Sequence, residues 1–456
     1  MLNRQMRNRV SAAILLLLLS AIPAFALKQL PAGETVWQDE VVLNEALRIP
    51  RGSTLIVAAG SKIKVTSPSA NIDVSGVIQV RGSARRPVVI ESPPGWQGIN
   101  FVEGEKGSLF SAIRVDGAES AISSIATDFS VTDSVFTNCG TAIKLLREAS
   151  PRIEKNRFED NEMAIDNEMR SNPLILENTF VGHGKTAILA SHNSRGRIAG
   201  NTFENNEQGI GLLQPYPDVI EDNIFTNNRL ALYCNQTKST PRIRHNRFVD
   251  NEIALVNYSF AYPALEDNRF IGNKMAVRND QYGSPLLQNN LFSKNGTALY
   301  NYRKSNPKVE NNIFEENDLA MFCDYSSYPT IRNNNFSGNR MGVELGIYQS
   351  ADWEKRSGSK KLMQKEAMAR KSKNTMLSQA PTSFNDIVDV SGNWWSDRTA
   401  ALEKAGKEKN LPFFFDRRDK EWVTYEGFGP ESYRIDRIVY SPWLTKPVRD
   451  AGPRSQ

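Results

Sequence analysis

Residues 241–257 read Pro-Arg-Ile-Arg-His-Asn-Arg-Phe-Val-Asp-Asn-Glu-Ile-Ala-Leu-Val-Asn, and variants of this segment recur along the chain. Its phenylalanine returns every 22 or 23 residues, with an asparagine two residues before it. The series comprises Phe158, Phe180, Phe203, Phe225, Phe248, Phe270, Phe292, Phe314 and Phe336, and Phe136 extends it with Ser134 in place of the asparagine. A period held this closely indicates one short unit stacked on itself, so most of the chain is predicted to be a solenoid.

The apolar residues of each repeat come in twos and threes with polar residues between them, a pattern typical of short strands. An aliphatic residue stands five positions before each phenylalanine of the series, and another stands seven positions after most of them, as in Ile243 and Leu255. A helical repeat is excluded by the density of asparagine and proline. The leucine signature of leucine-rich repeats is absent as well. We therefore predict an all-β fold, a right-handed parallel β-helix with coils of about 22 residues and about three strands each.

Stacked coils place like residues above one another. The phenylalanines are expected to fill the bore, and each inward asparagine can pair its amide with backbone groups and with the asparagine of the next coil. Cys234 and Cys323 lie in one column four coils apart, too far for a disulfide. We expect all three cysteines, including Cys139, to be free and buried.

The repeat resembles that of exported bacterial proteins with right-handed parallel β-helix repeats, whose architecture is shared by pectin-lyase-like proteins. The resemblance covers roughly residues 90–345, and Trp96-Gln97-Gly98-Ile99 is similar to the first coils of many such proteins. It implies the fold. It does not imply one activity, because lyases, hydrolases, epimerases, adhesins and binding proteins all use this scaffold.

Five segments are expected along the chain. Residues 1–26 have a basic start, a short apolar run and Ala24-Phe25-Ala26, which predicts a signal peptide and an exported protein, periplasmic or extracellular. An N-terminal β cap with the first coils (27–110), the β-helix repeats (111–348), a basic helical or loop insertion (349–385) and a C-terminal cap (386–456) follow. No other segment is apolar enough to cross a membrane, and the net charge of +5 gives no reason to expect nucleic-acid binding.

Complete catalytic or metal-binding motifs are missing. The three histidines have neither the number nor the spacing of a metal site. Gly182-His183-Gly184 resembles a motif of polygalacturonase-type hydrolases, but the aspartate and basic motifs that accompany it there are absent. His183 stands three residues after Phe180, where other coils have asparagine, so we interpret it as a substitute in an asparagine ladder.

The better candidate is a face. Because side chains alternate along a strand, positions eight and ten after each phenylalanine are expected to point outward. Aromatic rings and polar groups together suit a sugar polymer. The predicted binding residues are Tyr233, Tyr258, Arg278, Tyr300, Tyr302, Phe322 and Tyr325, and the candidate acid and base groups are Asp280, Asp324 and Glu344.

The first hypothesis is an exported, non-catalytic β-helix that binds polysaccharide or another envelope polymer through this Tyr-rich face. The alternative is a polysaccharide lyase, glycoside hydrolase or epimerase acting on the same face. No cofactor is expected, although a calcium-assisted lyase would use clustered carboxylates beside an arginine, which Asp280, Arg278 and Asp324 supply in part. A third hypothesis is a protein partner that docks on the basic segment 351–376.

Overall fold

A computed structural model describes residues 28–214, 219–237, 240–356, 386–406, 410–427 and 429–454. Three long sheets, built only from parallel pairs, run along the molecule. In the described part of the chain they contain 16, 14 and 14 strands, here called sheets A, B and C. Successive strands of one sheet are about one sequence repeat apart, so each coil contributes one strand to each sheet. The predicted all-β parallel β-helix with three strands per coil is confirmed.

The coil bounds follow the repeat. Sheet A consists of Lys28–Gln29, Leu47–Ile49, Ile72–Val74, Ile99–Val102, Ser120–Ile125, Thr141–Leu146, Met163–Asn167, Thr186–Ser191, Gln208–Leu213, Leu230–Asn235, Ile253–Tyr258, Met275–Asp280, Thr297–Asn301, Leu319–Cys323, Met341–Leu345 and Phe414–Phe415. Sheet B consists of Gly33–Trp37, Ser53–Val57, Val77–Arg81, Ser108–Ser111, Phe129–Thr132, Arg152–Glu154, Leu174–Leu176, Arg197–Ala199, Val219–Glu221, Arg242–Arg244, Ala264–Glu266, Leu286–Gln288, Lys308–Glu310 and Thr330–Arg332. Sheet C consists of Glu40–Leu43, Lys62–Val65, Val88–Glu91, Ile113–Asp116, Val135–Thr137, Arg157–Glu159, Thr179–Val181, Thr202–Glu204, Ile224–Thr226, Arg247–Val249, Arg269–Ile271, Leu291–Ser293, Ile313–Glu315 and Asn335–Ser337.

The bore is filled by the predicted phenylalanine column. From Phe136 to Phe336, successive ring centroids lie 4.7–5.2 Å apart and successive ring planes differ by 3–9°. All of these rings are buried. The identical spacing of the residue in sequence thus becomes a continuous stack of rings at the spacing of the strands.

Two asparagine ladders run beside the phenylalanines. In the ladder from Asn156 to Asn334, each buried asparagine donates its Nδ2 to the Oδ1 of the next, as Asn246 does to Asn268 at 3.0 Å. The same Oδ1 accepts the backbone N–H of the preceding asparagine. The ladder three residues after the phenylalanines repeats this pattern. The predicted structural role of the asparagines is confirmed.

His183 occupies one position of that second ladder. It is buried, and its backbone N–H donates to Asn206 Oδ1 at 3.1 Å, as an asparagine at this position would. Burial lowers the pKa of its imidazole to about 4, so the ring is neutral at physiological pH. The interpretation of His183 as a ladder substitute is confirmed. The three cysteines are free and buried, also as predicted.

At both ends, the described residues continue the solenoid. Residues 28–110 supply strands to all three sheets, so the predicted cap segment consists of coils from Lys28 onward. Near the other end, Asn393 continues the asparagine ladder and Trp395 stacks on Phe336 at 4.3 Å, which closes the bore with an indole.

Short elements complete the C-terminal region. They are the helices Ala351–Arg356 and Thr399–Ala405, the 3-10 helix Ser396–Arg398, the parallel pair Ile387–Asp389 and Arg437–Val439, and the antiparallel pair Trp422–Thr424 and Ser432–Arg434. The predicted signal peptide, and the basic insertion after Arg356, lie outside the described residues. Within the described ranges no helix has the length and apolar character needed to span a bilayer.

Candidate functional site

The outer surface of sheet A carries the predicted site residues. The position eight after each phenylalanine, or nine after Phe180, forms one register column: Lys144, Asp166, Leu189, Gly211, Tyr233, Val256, Arg278, Tyr300, Phe322 and Glu344. Side chains in this column and in the column two residues later leave the bore, as the alternation of strand residues requires. The columns predicted to point outward thus do leave the bore.

The exposure expected for two of the carboxylates is wrong. Asp280 is 2% exposed and Asp324 is 6% exposed. Asp280 stands between Tyr258 and Tyr302 in its column, whereas Asp324 lies between Tyr302 and Gly346, where a side chain on Gly346 would meet its carboxylate. At Asp280, a column that points outward is therefore still covered because its neighbours are long.

Asp280 lies at the centre of an ion-pair cluster. Arg303 donates to both of its carboxylate oxygens, at 2.7 and 2.9 Å, and Arg278 donates to Oδ2 at 3.0 Å. The same two guanidinium groups lie over the rings of Tyr302 and Tyr300, at 5.2 and 5.5 Å from the ring centroids. Both oxygens are thus engaged by arginine, and proton exchange with a ligand would have to break this cluster.

Asp324 has a different environment. Its carboxylate accepts a hydrogen bond from the backbone N–H of Tyr325 at 2.9 Å, and burial raises its pKa to about 6. Tyr302 lies on the coil between Asp280 and Asp324. Glu344 is half-buried in the other column, in register with Phe322. The three candidate acid and base groups therefore do not form one cluster.

The predicted aromatic residues do come together, but they present mainly their edges. Tyr300 stacks on Phe322 at 4.8 Å with 15° between the planes, and Tyr325 contacts Tyr302 edge to face at 5.0 Å. Rings stacked along the axis cover each other's faces, whereas a sugar needs a free face. Farther toward the N terminus Tyr233 and Tyr258 pair more loosely, at 6.3 Å and 28°.

A cleft that the sequence analysis missed lies beside Tyr233. It has a volume of about 350 Å³ and is lined by Glu168, Leu189, Ser191, His192, Leu213, Gln214, Asn235 and Gln236. These residues, here called the sheet A cleft, come from the last positions of four successive sheet A strands and from the turns that follow them. His192, Gln214 and Gln236 each take a positive φ of 49–54° directly after their strands. The recurrence of a polar residue at that position in consecutive coils is the sequence pattern that could have indicated this cleft.

The cleft has a polar ladder in its lining and an aromatic ring next to it. Gln214 donates its Nε2 to Gln236 Oε1 at 3.0 Å, which orients two exposed amides along the axis. Gly211 is in register with Tyr233, so the preceding coil places no side chain of its own column against that ring. The space that a Gly211 side chain would fill is occupied by the Gln208 amide and by Leu189, so the Tyr233 ring is half-buried beside the cleft.

Ionisable groups stand at the N-terminal end of the cleft. Ser191 Oγ and His192 Nδ1 are 2.8 Å apart, and that nitrogen lies 3.7 Å from Glu168 Oε2. Asp166, behind Glu168, has its Oδ2 3.9 Å from Lys144 Nζ. Burial, and then the negative charge of Glu168, raises the pKa of Asp166 to about 6. In the described part of the chain, no group of three His, Cys, Asp or Glu side chains is arranged to hold a metal ion.

A second depression lies on sheet C. Its volume is about 480 Å³ and its lining includes Arg114, Asp116, Thr137 and Glu159. Thr137 and Asn138 both donate to Asp116 Oδ1, at 2.9 and 2.7 Å. This surface lies on a different sheet from the sheet A cleft, and the lining of neither contains an aromatic ring.

Solved structures similar to this chain share its architecture at low sequence identity. A tailspike protein variant of E. coli bacteriophage HK620 in complex with a pentasaccharide is 10% identical, covers 70% of this chain and 71% of its own, and has a TM-score of 0.40. Another variant of that tailspike is 9% identical over 69% of this chain and 74% of its own, with a TM-score of 0.44. An alginate lyase from Paenibacillus sp. str. FPU-7 is 11% identical over 57% of this chain and 97% of its own, with a TM-score of 0.31.

No curated protein matches the chain in sequence. The profile of the family described as right handed beta helix region matches residues 111–270 and 253–352, which together make up more than half of the chain. The match spans the phenylalanine column, the asparagine ladders and the outer columns of sheet A. The chain therefore belongs to the right-handed β-helix family.

Proposed function

We propose that this protein is an exported, non-catalytic β-helix that binds polysaccharide along the outer surface of sheet A, with the sheet A cleft as its main subsite. The observation that carries the proposal is the cleft itself, an open volume with three amide side chains in its lining and Tyr233 beside it. Amide groups donate and accept hydrogen bonds at once, as the hydroxyls of a sugar require. We assign to the Tyr233 ring, next to the cleft, a contact with the apolar side of a sugar ring.

The cleft is elongated along the solenoid axis. Its lining begins at Glu168 and ends at Gln236, three rungs later, a span of about 14 Å at the strand spacing of a sheet. That length accommodates a short stretch of polymer. Beyond it, Tyr258, Arg278, Tyr300 and Tyr302 continue the same surface toward the C terminus. Because their rings are stacked and paired with guanidinium groups, we assign them edge and hydrogen-bond contacts with the flanking polymer.

Binding to immobilised and soluble glycans tests the proposal. The double variant Q214A/Q236A removes the amide ladder and should weaken binding at least 10-fold, and Y233A should do the same. Arg114→Ala, on the sheet C depression, is the matched control and should leave affinity within 2-fold. Thermal melting of each variant verifies the fold. Equal affinity in all three variants would refute this location, and Y258A/Y300A/Y302A then examines the flanking surface separately.

The second candidate function is a polysaccharide lyase, hydrolase or epimerase, and Asp324 is the observation that favours it. A carboxyl group with a pKa near 6, surrounded by tyrosines, has the protonation behaviour of a general acid. Uronate-rich and neutral glycans are incubated with the protein, and ultraviolet absorbance and reducing ends are measured. Turnover that disappears in D324N would establish the enzyme. No turnover on a broad panel would leave the binding function.

Two further parts of the proposal concern location and partners. Export to the periplasm or beyond rests on residues 1–26, and cell fractionation with mass determination of the mature N terminus tests it. A protein partner on segment 351–376 would be lost on deletion of those residues, which co-purification measures. Glycan affinity should be unchanged by the same deletion, because the segment begins at Ala351–Arg356, after a sheet A strand that lies five strands beyond Leu230–Asn235.

A further inference from the structure

We propose that the sheet A cleft selects uncharged sugar units and discriminates against uronates and other anionic sugars. This inference rests on the proposed polysaccharide-binding function and assigns its substrate class. It follows from the negatively charged group in the lining of the cleft and from the lack of an arginine or lysine there.

The lining contains a carboxylate and lacks a guanidinium or ammonium group. Glu168 is the only acid among the lining residues, and its side chain is 21% exposed. Among the described residues it forms no ion pair with lysine or arginine; its charged-group neighbour is His192, which also contacts Ser191. An anionic sugar would therefore meet a negative charge with no cation placed to receive it.

Buried carboxylates elsewhere on this chain show what a compensated acid looks like. Glu221 is held between Arg197 and Arg244, at 2.6 and 2.7 Å. Asp280 is held between Arg303 and Arg278. These two carboxylates each have two arginine partners, whereas Glu168 has none among the described residues.

Asp166 strengthens the negative field at this end of the cleft. Burial, and then the negative charge of Glu168, raises the pKa of the Asp166 carboxyl, and Asp166 Oδ1 is buried without a hydrogen-bond partner in the described structure. Lys144 compensates one charge from the far side, 3.9 Å from Asp166 Oδ2. The charge of Glu168 remains directed at the cleft.

The rest of the lining suits neutral hydroxyls. Gln214, Asn235 and Gln236 offer donors and acceptors in equal number, and Leu189 and Leu213 offer apolar contact. A site built to receive a sugar carboxylate would place a forked arginine or a lysine among these groups. The composition of the lining and the negative charge at its end therefore both favour an uncharged sugar.

Isothermal titration with matched oligosaccharides tests this selectivity. The probes are galactose and galacturonate oligomers of equal length, with mannose–mannuronate and glucose–glucuronate pairs to cover stereochemistry. We expect the preferred neutral oligomer to bind at least 10-fold more tightly than its acidic counterpart. In E168Q, which keeps the shape and loses the charge, the ratio of acidic to neutral oligomer affinity should rise about 5-fold.

Gln214→Lys provides a second, opposite change by adding a cation to the lining, and it should also raise affinity for the acidic oligomers. Wild-type protein that binds an acidic oligomer as tightly as its neutral counterpart, with a response to Q214A/Q236A, would overturn the selectivity and leave polysaccharide binding in place. Absence of binding to all probes, with no effect of Q214A/Q236A, would overturn both. An unchanged ratio of acidic to neutral oligomer affinity in E168Q and Q214K would show that charge in the cleft does not determine the choice.

Discussion

Removal of a single ladder asparagine should destabilise the solenoid strongly. Asn246 is buried at the centre of its ladder. Its Nδ2 donates to the backbone carbonyls of Ile220 and Arg244 and to Asn268 Oδ1, at 2.9–3.0 Å. Its Oδ1 accepts from the backbone N–H and the Nδ2 of Asn223, both at 3.0 Å. Asn246→Ala deletes all five bonds.

At about 1 kcal/mol net for each hydrogen bond, the loss amounts to about 5 kcal/mol. One of these five bonds comes from the buried backbone N–H of Asn223. Because water does not reach this group, solvation does not offset the loss of its acceptor. Urea unfolding followed by far-ultraviolet circular dichroism measures the change in the free energy of unfolding. We expect the midpoint to fall substantially, with the same spectrum at zero denaturant.

Asn100→Ala is the matched control, because it deletes the same side chain from a half-exposed strand position of sheet A. Its effect should stay within about 0.5 kcal/mol. A loss below about 1 kcal/mol for Asn246→Ala would refute the argument that the ladder holds the coils together, and would leave the phenylalanine column as the main source of stability.

Two substitutions and one labelling experiment test the buried ionisable side chains. The pKa of Asp166 is about 6 in the folded protein, against a usual value of 3.8. The unfolded chain therefore loses this proton first, and the free energy of unfolding falls as pH rises through that window. Thermal melting across pH should show that Asp166→Asn stabilises the protein by about 2–3 kcal/mol at neutral pH and has no pH-dependent effect below about pH 4. Asp280→Asn leaves two guanidinium groups without their buried partner and should cost about 3 kcal/mol, with glycan affinity in the sheet A cleft unchanged, and a cost near zero would contradict the clamp. Burial raises the pKa of the Cys139 thiol to about 11, and the thiols of Cys234 and Cys323 are fully buried. A thiol reagent should therefore label the protein only after unfolding. Rapid labelling of the native protein would show that these thiols are accessible.

The interior of the molecule could be predicted because every coil repeats the same contact. Phe248 stacks on Phe225 and Phe270 at 4.7 and 4.8 Å, and each of those rings repeats the arrangement one coil further on. Because every coil needs the same ring at the same place, phenylalanine recurs periodically in the sequence. His183 was recognisable for the same reason, since it replaces one member of a regular column.

The candidate site was less predictable because it depends on differences between coils. Asp280 and Asp324 do lie in the outer columns, but Asp280 is covered by arginine and tyrosine side chains of neighbouring coils, and Asp324 lies between Tyr302 and Gly346. The sheet A cleft follows from Gly211 and from residues in left-handed turns such as His192 and Gln236, whose orientation no strand alternation describes.

Periodicity in the chain was enough to establish the solenoid, its three strands per coil and the identity of the columns inside and outside. The depth of each outer side chain, the pairing of Asp280 with its arginines and the opening beside Tyr233 required the folded coordinates. The physical reason is that the interior repeats one packing solution, whereas the surface is determined by which unlike side chains meet across adjacent coils, about 22 residues apart in the sequence and about 4.8 Å apart in space.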